Sequence, residues 1–171
     1  MTKILTKHFD EPKFHELETY RSLGGYEGLI KALAMSRADL VAEVVKSNLR
    51  GLGGAGFPVG GKWGTVPPED KVPGPRYVVA NADESEPGCF KDRVLITRAP
   101  HQILEGLLIT AHAIGAKETF IFIRGEYQNQ YDILEKAIAQ ADAAGYTKHA
   151  SIALMRGACA YESRGCSCRR W

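Results

Sequence analysis

The chain has 171 residues, 44% of them hydrophobic, and a formal charge of +2 with acids and bases interspersed. That length accommodates one domain around one core, and the absence of a basic stripe argues against nucleic acid as a partner. No apolar run approaches the ~20 residues that span a bilayer, the first residues lack a signal-peptide apolar segment, and the cysteines Cys89, Cys159, Cys166 and Cys168 form no C-x-x-C pair or zinc spacing; the expectation is a soluble, cytoplasmic chain without a disulfide or zinc scaffold.

Residues 1–25 are polar with scattered aromatics up to Gly24-Gly25 and read as an extended arm lying on something larger. Helical spacing occupies 26–35 and 37–48, the second opened by Ser36 as N-cap with Asp39 as a capping-box acid. A glycine-rich run ends that helix, and Pro67, Pro68, Pro73 and Pro75 keep 64–75 in a loop. Residues 76–80 read as a buried strand. A polar cluster follows from Asn81 to Gly88, and a helix starts near Lys91. Pro100 suits the first turn of a helix whose Ile103, Leu104, Leu107, Leu108, Ala111 and Ile114 share a face, with Gly115 as its C-terminal cap. Residues 119–123 form a second strand, Tyr127 to Ala141 a long helix closed by Gly145, and 152–155 a third strand. This alternation predicts the α/β class, a Rossmann-like parallel sheet with helices on its faces. Ligands of such sheets sit outside the carboxyl ends of the strands, where the polar clusters 81–88 and Arg124-Gly125-Glu126-Tyr127 fall.

The segment Arg50-Gly51-Leu52-Gly53-Gly54-Ala55-Gly56-Phe57-Pro58-Val59-Gly60-Gly61-Lys62-Trp63 can lay bare backbone against a ligand. Its amides suit an anion, Phe57 and Trp63 offer ring faces, and Lys62 and Arg50 supply positive charge. Gly51-x-Gly53-x-x-Gly56 spells the dinucleotide fingerprint but follows a predicted helix instead of a strand. Gly56 to Lys62 spells a P-loop start, yet Trp63 stands where Ser or Thr should hold Mg²⁺. Across the fold, Asn81, Asp83, Glu84 and Glu86 could accept bonds from sugar or ribityl hydroxyls, ligate a cation, or cap the following helix. Arg124-Gly125-Glu126 reads as a strand-to-helix turn with a local ion pair. The five histidines lie apart from any nucleophile, and Cys89 reads as a packed residue. Glycine backbone on one side and acceptors on the other suggest a nucleotide-type cofactor.

Three segments, Arg50–Trp63, Asn81-Ala-Asp-Glu-Ser-Glu-Pro-Gly88 with Lys91-Asp92-Arg93, and Arg124-Gly-Glu-Tyr127, together with Lys7–Pro12 and Gly24-Gly25-Tyr26, closely resemble the NADH-binding flavoprotein (FMN) subunit of respiratory complex I, the NADH-quinone oxidoreductase. The resemblance covers residues 5–161. It implies an oxidoreductase in which NADH gives a hydride to FMN, which passes electrons singly to iron–sulfur clusters and quinone. By motif position it assigns FMN contacts to Gly51, Gly53, Lys62, Asn81, Asp83 and Glu84, NADH contacts to Phe57 and Glu86, and places Gly54, Gly56 and Tyr161 in the same cofactor site. It requires no catalytic acid–base residue, since the protein's task is positioning and excluding water. It further implies peripheral-arm partners, above all a small [2Fe–2S] flavoprotein partner, and a position on the cytoplasmic face of the inner membrane through the complex, without insertion.

Leu52 stands where the family usually has Arg. The segment Arg156-Gly-Ala-Cys-Ala-Tyr161 starts a further family motif that should continue Ile-Cys-Gly-Glu-Glu-Thr, but here runs into Glu162-Ser-Arg-Gly-Cys-Ser-Cys-Arg-Arg-Trp171. The expected organisation is therefore an arm (1–25), an incomplete FMN/NADH-binding α/β domain (26–161) and an aberrant tail (162–171) of disrupted reading frame. The family's [4Fe–4S] ligands are expected to be absent and turnover weak or nil. Flavoprotein subunits of NAD-linked hydrogenases or formate dehydrogenases, a P-loop-like phosphohydrolase and a non-catalytic docking fragment are the alternatives.

Overall fold

The computed structural model describes residues 3–157. Its elements run α1 (Leu17–Ser22), α2 (Glu27–Leu33), α3 (Arg37–Lys46), α4 (Val59–Gly64), β1 (Tyr77–Ala82), α5 (Lys91–Arg98), α6 (Pro100–Ile114), β2 (Glu118–Ile123), α7 (Gln128–Ala143) and β3 (Ser151–Arg156). The strands form one parallel sheet in the order β1-β2-β3, with Val78 beside Thr119 and Thr119 beside Ile152.

The α/β class and the parallel sheet stand as expected, but the helices occupy one face. Val78, Ala82, Thr119, Ile121 and Ile123 are buried on the face that meets Leu104, Leu107 and Leu108 of α6 and Leu134, Ala137 and Ala141 of α7. Alternation along the strands turns Tyr77, Val79 and Phe122 to the opposite face, where they are exposed. The cause is topological. Two right-handed crossovers that step in one direction across a sheet place both helices on the same side, and covering the other side needs a reversal of strand order.

Residues 1–25, expected as an extended arm, are a correction. Residues 4–15 form successive turns and α1 follows, with Phe14, Leu17 and Tyr20 buried in the main core. Their i, i+3, i+6 spacing puts all three on one side of a helical turn, which outweighs the polar composition around them. The Tyr20 hydroxyl donates to Glu105 of α6, and Glu105 in turn accepts from the Tyr26 and Leu29 amides at 2.9 Å each, so a buried acid from a distant helix caps α2. Burial, followed by the Glu105 carboxylate, raises the Tyr20 phenol. Tyr26 stacks on Tyr146 at 3.8 Å between ring centroids and bonds the buried His101, which also bonds Gln140 of α7.

The α3 cap forms as expected, the Asp39 amide donating to Ser36 Oγ at 3.2 Å while the Ser36 hydroxyl donates to the Asp39 carboxylate at 2.7 Å. Gly115, at φ 77°, closes α6. The short helix α4 was not expected inside the glycine run. It exists because Gly60 lies against α3, where a Cβ would stand 2.6 Å from the Val45 nitrogen and 2.9 Å from its Cα; only glycine allows that approach.

Candidate functional site

The loop between α3 and α4 is pinned at its base. The Gly51 amide donates to the Phe57 carbonyl at 3.0 Å, the Val59 amide to the Leu49 carbonyl at 2.9 Å, and Arg50 pairs with Pro58 as an isolated antiparallel bridge. Arg50 Nη1 donates to the Gly56 carbonyl at 3.2 Å, so this cation holds the loop together instead of standing free for a phosphate. Gly54 and Gly56, at φ 98° and 59°, turn the chain through the left-handed region. Among the described residues the amides from Leu52 to Phe57 donate to no protein acceptor. A Cβ at Gly53, Gly54 or Gly56 would meet nothing within 4 Å, so the loop faces open space. Unpaired amides in an exposed glycine loop are an anion-binding device.

Lys62 enters the same region from α4. With Gly51, Trp63, Val66, β1 from Tyr77 to Ala80, and Ile103 and Leu107 of α6, it lines a cavity of about 630 Å³, which is in the size range of small-molecule sites. Gly51 at the base of the glycine loop therefore shares a cavity with β1, while residues 52–57 stand outside its lining. Asn81, Asp83, Glu84 and Glu86 are not in its lining. Asn81 follows Ala80 directly along β1, whereas the other three belong to the turn beyond the strand.

Within that turn the acceptors have different roles. Asn81 Oδ1 accepts from the Asp83 amide at 2.9 Å, which leaves its own amide protons unused. Asp83 accepts from the Ser85 hydroxyl at 2.7 Å through Oδ1; its other oxygen has no partner among the described residues. Glu86 is exposed. Glu84 takes the capping role, one of the three readings open to these acids. Its side chain is 1% exposed and takes the Asp92 amide at 2.7 Å, the Arg93 amide at 3.2 Å and Arg93 Nε at 3.1 Å, which makes it the N-terminal cap of α5. Burial by itself would raise this carboxyl, but the two amides and the Arg93 guanidinium outweigh it and hold Glu84 below the usual carboxylate range. The helix supplies no side-chain cap of its own, since Phe90 occupies the N-cap position.

The Arg124 cluster reaches further than a local turn. Arg124 pairs with Glu126 at 3.2 Å as anticipated, but its Nη1 also donates to the Glu84 carbonyl at 3.0 Å and its Nε lies 3.7 Å from Asp83. The Tyr127 hydroxyl donates to the same carbonyl at 3.2 Å. Arg124, Tyr127 and Arg93, which the sequence placed in the polar cluster at a strand end and in the resemblance motifs without giving them a role, therefore gather around Glu84.

Phe57 is 57% exposed and stacks on nothing, available to a ring but not committed to one. Trp63 is half-buried against the satellite core of Leu40 and Ala113, which, with α3 in place of a strand before the loop, removes the P-loop reading. No cluster that could hold a metal ion exists among the described residues. Tyr161 and the tail lie outside the described residues. Unpaired amides and one ammonium fit a phosphate, an apolar-walled cavity beside β1 fits a ring system, and the Asn81 amide with the free Asp83 oxygen fits hydroxyls; this donor set suits FMN.

Comparison with known proteins agrees. The family model for the Nuo51 FMN-binding domain matches residues 44–164. The F subunit of the NADH-quinone oxidoreductase of Aquifex aeolicus is 50% identical over 84% of this chain and 33% of its own length, and the second F subunit of the Rhizobium meliloti enzyme is 50% identical over 84% and 34%. The chain therefore spans about a third of the curated relatives it matches. An NAD⁺-reducing [NiFe]-hydrogenase in the H2-reduced state superposes over 94% of this chain and 26% of its own with a TM-score of 0.72 at 31% identity.

Proposed function

The chain belongs to the Nuo51 FMN-binding domain family, and from that premise we propose that it is the FMN-binding portion of an NADH-oxidising flavoprotein subunit of complex I type. The observation that carries this reading is the pinned glycine loop with unpaired amides from Leu52 to Phe57, whose base residue Gly51 lines, together with Lys62, a cavity walled by β1. The loop amides and Lys62 hold the phosphate, Gly51 and the β1 wall border the ring system, and Asn81 and Asp83 bind hydroxyls of the flavin side chain. Gly53, Gly54 and Gly56 belong to the phosphate-holding loop, and the exposed Phe57 and Glu86 lie toward solvent, where NADH approaches. Bound FMN accepts a hydride and releases single electrons, and the chain's contribution is to orient the two rings and keep water from between them. No side chain needs to transfer a proton.

In the whole subunit those electrons leave for iron–sulfur clusters and then quinone, with a small [2Fe–2S] protein as neighbour and the assembly on the cytoplasmic face of the membrane; no helix among the described residues is long and apolar enough to cross it. The 50% identity to the quinone-linked Aquifex relative, against 31% to the hydrogenase, favours quinone as the final acceptor. We assign residues 26–161 to the flavin domain and, because residues 162–171 depart from the family motif, infer weak or no turnover. Titration of the purified chain with FMN, followed by flavin fluorescence quenching, tests the reading. Saturable binding that Lys62→Ala weakens roughly tenfold or more, the worth of a charge-assisted bond, supports it; binding indifferent to Lys62, or none, refutes it. Rapid NADH–ferricyanide turnover would refute the weak turnover, and resequencing past the Tyr161 codon tests the origin of residues 162–171.

A further inference from the structure

We propose that Arg124 and Tyr127 are positioning residues that set the orientation of the Asn81–Glu86 turn toward the flavin; this deepens the functional reading above and rests on it. The turn leaves β1 with no regular partner on its far side, yet Glu84 at its middle is fixed from two directions. Its carboxylate is held by α5, through the Asp92 and Arg93 amides and Arg93 Nε. Its carbonyl is held by the end of β2, through Arg124 Nη1 at 3.0 Å and the Tyr127 hydroxyl at 3.2 Å. The hold on the carbonyl fixes the Glu84–Ser85 peptide plane and the hold on the carboxylate fixes the direction of the Glu84 side chain, and together they restrain the neighbouring Asp83 and Ser85.

Arg124 adds a second constraint. Its Nε is buried with no hydrogen-bond partner among the described residues, and Asp83 Oδ1 lies 3.7 Å away. That oxygen is already shared with Ser85, so the cation faces one side of Asp83 and leaves the other oxygen outward for a hydroxyl. The Tyr127 ring lies within reach of two guanidinium groups, Arg93 at 5.3 Å and Arg124 at 5.5 Å from its centroid. The ring attracts both cations. Arg93 serves the Glu84 carboxylate and Arg124 the Glu84 carbonyl, so Tyr127 couples the two holds on the turn. None of these groups requires contact with the cofactor; their effect passes through Glu84 to Asn81 and Asp83.

The test uses Tyr127→Phe, which keeps the ring beside the guanidinium groups and deletes the hydroxyl, and Arg124→Lys, which keeps the charge and loses the planar fork. Three quantities are read on the parent and both variants: FMN affinity by fluorescence quenching, the visible circular dichroism of bound flavin, and hydrogen exchange of the Asp92 and Arg93 amides without flavin. Far-UV circular dichroism confirms an intact fold. The expected result is affinity weakened about five- to tenfold in each variant, the worth of a hydrogen bond, an altered flavin dichroism band, and faster exchange at both amides. Unchanged affinity and dichroism in a folded Tyr127→Phe chain overturn the proposal. If the parent itself binds no FMN, the functional reading has failed, and amide exchange alone decides the clamp: faster exchange in the variants upholds it as the device that orders the turn, and unchanged exchange overturns it.

Discussion

Replacing Glu84 with alanine removes an interaction set whose cost can be worked from the geometry. The α5 N-terminus has no cap of its own, so the Asp92 and Arg93 amides lose their acceptor and are left to water in a half-buried place. Loss of an N-cap costs about 1–2 kcal/mol, and hydrogen bonds to a charged group are worth about 1.5–3 kcal/mol. These overlap, since the same two amides are counted by both. The Arg93 ion pair adds little, because Arg93 is 46% exposed and exposed pairs contribute ~0–1 kcal/mol. The expected destabilisation is therefore about 2–4 kcal/mol, which for a chain of this size lowers the melting temperature by roughly 5–15 °C. Urea unfolding of the parent, Glu84→Gln and Glu84→Ala at pH 7 measures it, with Gln intermediate because one oxygen remains as an acceptor. The pH dependence supplies a second check. The folded carboxyl titrates below its unfolded value of 4.5, so the unfolded chain takes up the proton first on acidification; the contribution is full above pH 4.5 and is lost as pH falls through the folded value. Glu84→Gln abolishes that component. A Glu84→Ala loss below about 1 kcal/mol would mean that the carboxylate faces a ligand and not the helix, and the capping argument would fall.

Three further outcomes follow from other contacts. Gly60→Ala forces a Cβ against the Val45 backbone, so it should cost about 1–3 kcal/mol in urea unfolding and, by moving α4, weaken FMN binding through Lys62; a neutral substitution would show that α3 and α4 do not touch there. Gly54 and Gly53 both face open space but only Gly54 has a left-handed φ, so Gly54→Ala should reshape the loop and impair FMN binding while Gly53→Ala leaves stability unchanged; equal effects in fluorescence titration would remove the backbone argument. Burial lowers His101 and His149 below the ordinary 6.5, so the unfolded chain binds protons first and stability declines as pH drops below 6.5. His101→Gln should flatten the part of that slope not due to His149 in denaturation curves between pH 7.5 and 5, and an undiminished slope would refute the assignment.

How much of this was legible in the sequence depended on how far each interaction reaches along the chain. The strands, α6 and α7 are readable because their apolar spacing, Pro100 and Gly115 act within a few positions, and the Ser36 cap closes over three residues. Asn81 and Lys62 are readable as polar groups at the places where a parallel sheet and a glycine loop present them. The unread contacts share a cause. Glu84 caps a helix that starts several residues later, and Glu105 caps α2 from the far side of the core; each is an acid whose partner amides are brought to it only by folding. The sequence offered capping for Glu84 only as one of three readings, and gave no sign of it for Glu105. Helix α4 was hidden for the same reason, since its glycines argue against a helix locally and only the Val45 contact makes one favourable. The same logic bears on the proposed site: among the described residues the Lys62 ammonium, one Asp83 oxygen and the loop amides are groups for which the fold supplies no partner. A fold that satisfies its buried carboxylates so fully, while leaving a row of loop amides without a protein acceptor, keeps those donors open to an anion such as the phosphate of the proposed FMN.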